Sequence, residues 1–227
     1  MQGWHCDILM LYKRASLACA EEANMQKEDA PAIALAGVFM MTVGTLMAYI
    51  AYACLNNEFP VVTYMFRDWP LVSSSTAGIG TTILLYGMTL LLSERRNIYM
   101  LLSNCSLWLV IGSSNYFGND IIGWFHGIFT LLFLLFGTLS LARVLGTFRS
   151  WKVYLSFMWS ISAVVSGFVL NVDRSLANAR IVLGVSELLF IVTLGFGYFQ
   201  FIIGRFGCQQ QNQKDANSSV VVHLFKI

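Results

Sequence analysis

The sequence predicts an all-α polytopic membrane protein, a compact bundle of six transmembrane helices with both termini in the cytosol. Three observations carry this expectation. The 227 residues are 57% hydrophobic and 11% charged, with mean hydropathy +0.65, far from the balance of a soluble globular domain. Six stretches approach the roughly 20 mostly apolar residues that a helical span requires. Lys and Arg then fall 11 to 3 on the two sides of a six-span arrangement, and positive residues beside a span resist translocation.

Residues 1–31 form an N-terminal segment on the cytosolic side. It carries "CAEEANMQKEDAP", and its one apolar run, "ILMLY", is too short for the h-region of a signal peptide. The transmembrane domain occupies 32–206, with spans expected near 32–54, 74–92, 98–117, 121–142, 153–172 and 181–203. A sizeable non-cytosolic loop covers about 55–73. Two tight connections, Gly118-Asn119-Asp120 and 171–179, force their flanking helices to run antiparallel as neighbours. The tail, 207–227, is polar and expected to be mobile up to its apolar end. Its Asn217-Ser218-Ser219 sequon lies on the cytosolic side in this topology and stays unmodified.

The net charge of +2 and the lack of a basic aromatic patch exclude nucleic acid as a partner. Membrane lipids and other proteins within the membrane are the expected partners. Five scattered cysteines, with no CxxC pair, form neither a metal framework nor a closed disulfide scheme. Cys208 directly follows the last span and is a candidate for S-palmitoylation, against the simpler reading of an inert thiol. No cofactor and no metal are expected. The motifs HExxH, P-loop, GxSxG, EF-hand and dinucleotide fingerprint are all missing, which leaves none of the common catalytic frames.

Because lipid tails are as apolar as leucine, close helix contacts in a bilayer rely on small residues. The sequence offers Gly37 and Gly44 in the first span, Gly123 and Gly127 in the fourth, Ala163 and Gly167 in the fifth, and Gly195 and Gly197 in the sixth. Only the fourth and sixth spans hold a titratable side chain well inside: His126 in "GWFHGIF" and Glu187 in "GVSELLF". A carboxylate at membrane depth costs about 2.5 to 3.5 kcal/mol and normally finds a partner inside the bundle. Counting from the span ends puts both residues roughly 9 to 11 Å deep. The two are therefore expected to pair, as a structural hydrogen bond, a proton relay, or an acid/base dyad acting on a lipid.

The loop "NNEFPVVTYMFRDWPLVSSSTAGIG" (56–80) is the second informative stretch. Pro60 and Pro70 are expected to bar regular helix, and Phe59, Tyr64, Phe66 and Trp69 suit an aromatic belt. Arg67 and Asp68 can pair locally. The segment reads either as an interfacial connector or as a cap over the bundle mouth, in which Arg67, Asp68, Trp69, Ser73, Ser74 and Ser75 form a binding surface near the His–Glu layer.

Three features taken together resemble a known group: "WPLVSSS" at 69–75, the early histidine of "FHGIFTLLFLLFG", and the glutamate with its aromatic run in "SELLFIVTLGFGYFQFI". Over about residues 35–204 the chain is similar to the six-span superfamily of the damage-regulated autophagy modulators (DRAM), Frag and the yeast Sfk proteins, which includes the GPI-anchor lipid-remodelling factor. It departs from that pattern after the loop, where "TAGIGTT" lacks the usual proline and charge. The resemblance implies a multi-pass protein of the lysosomal, Golgi or plasma membrane. It would modulate autophagy or lysosomal function with no classical enzyme activity, or remodel GPI-anchor or other phospholipids through His126 and Glu187. A small proton-linked transporter is the third reading, weakened by the lack of inverted repeats.

Overall fold

A chain with long apolar runs in lipid must satisfy its backbone polar groups within each segment, which leaves helices as the open solution. In the computed structural model, every regular element among the described residues is helical. The structure describes residues 29–56, 61–92, 94–113, 120–172 and 176–224, with the side chains of 94–96, 120–123, 171–172 and 206–224 outside the description.

Helix α1 is Asp29–Asn56, with a π-helical stretch at Met40–Gly44. The short α2, Val62–Asp68, follows in the loop. Helix α3 covers 70–91 and is divided by a second π stretch, Ser74–Ile79. Then come α4, Glu94–Ser113, α5, Asp120–Leu145, α6, Trp151–Val172, and α7, Ala177–Leu224.

Four segments are long and apolar enough to cross a bilayer: Asp29–Asn56, Trp124–Leu145, Trp151–Leu170 and Ala177–Arg205. The apolar part of α4, Asn97–Ser113, is shorter. In α3 the regular α-helical part, Gly80–Leu91, has 12 residues because the π stretch interrupts it.

Helix α7 is the centre of the bundle and packs against α1, α2, α5 and α6. Its apolar window is 56% buried inside the protein, against 33 to 44% for the other three spans. The outer faces carry exposed Phe39, Met47, Phe157 and Phe168, the surface expected where lipid replaces water as solvent.

The α1–α3 contact brings two backbones close together. Ala34 faces Gly87, Gly37 faces Leu84, Met41 faces Gly80 and Gly44 faces Thr76. A Cβ added at Gly87 would lie 2.5 Å from the Ala34 amide nitrogen, and one at Gly80 would lie 2.6 Å from that of Met41. At Gly37 it would collide with the Leu84 backbone. Small residues every three or four positions thus bring two backbones together along most of the hairpin.

Of the small residues expected to mark contacts, Gly195 lies against Thr42 and Gly197 against Leu141. Ala163 is buried, whereas Gly167 leaves ordinary van der Waals space to Leu183. Gly127 corrects an expectation: it is exposed, and a Cβ there would meet nothing within 4 Å. Its partner in the GxxxG, Gly123, lies outside the described side chains.

Two further expectations change. The polar tail, expected to be mobile, continues α7 as helix to Leu224; the Cys208 side chain lies outside the description. Pro70 does not bar helix: it occupies the first turn of α3, where its missing N–H would have had no intrahelical acceptor. Pro60 and Phe59 lie outside the described residues.

Candidate functional site

The site is built where α2 crosses the end of the bundle. Val61 precedes α2 in extended conformation and supplies no side-chain cap, so the first amides of α2 have no acceptor of their own. Glu187 of α7 fills that role. The Thr63 hydroxyl donates to Oε1 at 2.9 Å and the Thr63 amide to Oε2 at 3.4 Å, with the Val62 amide also hydrogen-bonded to the carboxyl group. The buried carboxyl group of Glu187 thus finds its partners in the first amides of α2 and a hydroxyl. Val62, Met65 and Phe66 of the same short helix are buried against the bundle. Phe66 is therefore a core residue and not part of an interfacial belt.

His126 is 4% exposed. Its Nδ1 lies 3.0 Å from the Ser113 hydroxyl at the end of α4, and the Val110 carbonyl also faces the ring. It ties α5 to α4. The expected direct His126–Glu187 pair is accordingly replaced by two separate attachments, because the carboxylate of Glu187 is turned towards Thr63.

The physical reason is helix register. Helices α5 and α7 run parallel, with Phe133 on Phe190 and Gly137 on Leu194, an offset of 57 positions. That offset sets Glu187 level with Thr130 and leaves His126 one turn, about 6 Å, nearer the helix start. Counting from apolar span ends made the two residues appear level because α7 begins at Ala177, earlier than its hydropathy suggested. A cavity of about 20 Å³ lies beside Glu187, lined also by Thr63, Phe66, Val110, Thr130 and Phe190. Its volume is that of about one water molecule.

The far end of α2 is anchored to α1. The Tyr52 hydroxyl donates to Asp68, and the ring of Trp69 meets that of Tyr52 edge-on at 5.4 Å. Arg67 Nε lies 2.6 Å from Asp68 Oδ1, the expected local pair. The hydrogen bond from Arg67 holds the Asp68 carboxyl below its ordinary range, and the same contact raises Arg67. Tyr64 has the guanidinium of Arg67 5.1 Å from its ring centroid and that of Arg180, from the start of α7, at 5.9 Å.

The three serines expected near the polar layer do something else. Ser73 hydrogen-bonds the Met65 and Trp69 carbonyls, Ser74 the Pro70 carbonyl and Ser75 the Val72 carbonyl. They stabilise the start of α3 and do not reach Glu187. The residue that does, Thr63, escapes sequence reading because nothing marks α2 as a helix in need of a cap.

A second buried polar group sits between α3 and α4. Asn104 Oδ1 is 2.8 Å from the Thr81 hydroxyl, and Thr82 links on to the Trp108 indole at 3.1 Å. Tyr198 of α7 donates to Ser140 of α5 at 2.7 Å, Thr138 meets Ser156 at 2.9 Å, and Ser186 donates to Ser162 at 2.7 Å. These are interhelical bonds of the kind that fix partners in a bilayer. Among the described residues, no three His, Cys, Asp or Glu side chains gather as a metal-binding group, and Cys54 and Cys105 are free and exposed.

Together these features define an all-α protein with the apolar helices of an integral membrane protein, in which buried polar side chains link helix to helix. No family model, curated protein or solved structure matches the chain.

Proposed function

We propose that the chain is a six-span, DRAM-like protein of an endomembrane, both termini cytosolic, that modulates autophagy or lysosomal function through lipid and protein contacts in the membrane. The observation that carries this reading over lipid remodelling is the use of Glu187 as a cap for α2. An acid/base dyad needs its two groups within hydrogen-bond reach of one reacting atom or of each other. Here Glu187 is engaged by Thr63 and His126 by Ser113, which suits two fastenings of the bundle.

Helices α3 and α4 supply the remaining two spans in this topology. At 1.5 Å per residue, 70–91 and Glu94–Ser113 reach roughly 30 Å each, the thickness of the hydrocarbon core. The 11 to 3 split of Lys and Arg supports the same orientation, with α2 on the non-cytosolic face.

The test is tagged protein at native level, followed by organelle imaging and lysosomal flux with and without the gene. Lysosomal residence with altered flux is the expected result. Golgi residence with changed GPI-anchor lipids would move the assignment to the remodelling factor. An exclusively plasma-membrane signal would sink both and favour an Sfk-like lipid-organising role.

A further inference from the structure

The polar cluster between α3 and α4 leaves one hydrogen-bonding group over. Asn104 stands about halfway along α4, roughly 14 to 15 Å from either end, and is 8% exposed. One end of its amide lies 2.8 Å from the Thr81 hydroxyl and 3.3 Å from that of Thr82. Each threonine brings a single hydrogen. Thr81 has the Ala77 carbonyl at 2.8 Å and Thr82 the Gly78 carbonyl at 2.9 Å, while Thr82 also accepts the indole hydrogen of Trp108.

With Oδ1 at that end, three oxygens meet with only two hydroxyl hydrogens, for which main-chain carbonyls also compete. A half-turn of the amide puts the NH2 group there instead. Its two hydrogens go one to each threonine, and each hydroxyl keeps its carbonyl. That arrangement satisfies every donor in the cluster, so it is the one the cluster favours. The amide oxygen then takes the other end, which has no hydrogen-bond partner among the described residues. A buried acceptor without a hydrogen is costly, most of all in lipid.

Asn104 also lines a cavity of about 20 Å³, enough for about one water molecule. Five helices bound it, through Met41 of α1, Thr81 of α3, Ser103 of α4, Phe133 of α5 and Tyr198 of α7, all of them buried. The Tyr198 hydroxyl gives its hydrogen to Ser140 and keeps its oxygen as an acceptor. Ser103 meets the Phe133 carbonyl only at 3.5 Å, so its hydrogen is weakly held. The cavity beside Glu187 is as large, but there α2 already meets the carboxyl group. Here an acceptor is left over.

We propose that this cavity is a binding site for one water molecule, which donates to Asn104 and Tyr198, accepts from Ser103, and so ties α4 to α7 inside the bundle. Three hydrogen bonds are the usual complement of a buried water. The site does not depend on the autophagy reading.

The test is X-ray radiolysis of the full chain in nanodiscs. A bound water then yields hydroxyl radicals at its own site, and the side chains beside it are oxidised in place, as mass spectrometry reads. Met41 and Met100 line the cavity, whereas Met88, at least as buried, does not. Met41 and Met100 should be oxidised, undiminished by a radical scavenger in the bulk, while Met88 stays intact. In Asn104→Leu their oxidation should fall to the level of Met88. Oxidation of Met41 and Met100 no faster than that of Met88 in the unaltered chain would overturn the site, whether or not the variant folds. Suppression by the scavenger would place the water outside the protein and overturn it too. Oxidation persisting in folded Asn104→Leu would overturn the part given to Asn104.

Discussion

Glu187 of α7 accepts the hydroxyl hydrogen of Thr63, 124 positions away in sequence, at 2.9 Å. One carboxylate thereby serves as the missing N-terminal cap of α2 and fixes that helix over the bundle.

A buried hydrogen bond contributes about 0.5 to 1.5 kcal/mol net, and a buried partner left unsatisfied costs about 1 to 3 kcal/mol. Thr63→Ala and Glu187→Ala should each lower stability by about the latter amount, with a coupling of about 1 to 3 kcal/mol in the double variant. Thr63→Ser should retain most of it. Thermal unfolding in detergent measures all four, and full additivity would show that the cap contributes nothing.

His126 and Glu187 hold different helices, so their losses should be independent. His126→Ala and Glu187→Ala combined should be additive within about 0.5 kcal/mol. A larger coupling would restore the direct pair and, with it, the case for a shared proton.

Glycine positions divide sharply by what lies beside them. A Cβ at Gly195 collides with the Thr42 methyl group, whereas at Gly127 it meets open space. Gly195→Ala should destabilise by about 1 to 3 kcal/mol, and Thr42→Ser, which removes that methyl, should recover much of the loss. Gly127→Ala should stabilise by about 0.5 to 1 kcal/mol through helix propensity. Melting curves of the three variants decide it, and failure of the rescue would place the strain elsewhere.

The Asp68 anchor should survive mild acid. Arg67, then Tyr52, lower its carboxyl below the ordinary value. Its contribution is thus fully present above the unfolded-state value of about 3.9 and fades only as pH falls through the lower folded value. Hydrogen-exchange protection factors over residues 62–69 should be flat from neutral pH down to about 5, with those of Asp68→Asn lower throughout. Loss of wild-type protection within that window would contradict the anchor.

The all-α class was legible because apolar run length and charge placement are properties of single segments. Gly37, Gly195 and Gly197 were found for the same reason, as small residues in apolar helices. Helix pairing was less legible, because register depends on both partners: Gly127 lies in a GxxxG yet faces no neighbour, and His126 lies a turn away from the depth of Glu187. Thr63 was hidden for a different reason. Val61 leaves α2 uncapped, and its cap comes from a residue that only the fold brings near.

The seam between α1 and α3 also limits how the protein can move. With backbone against backbone at Gly37, Gly80 and Gly87, sliding either helix by a turn would drive a side chain into space that now holds main chain. The hairpin therefore cannot act as a piston. The pair is instead a fixed rail against which the rest of the bundle is set.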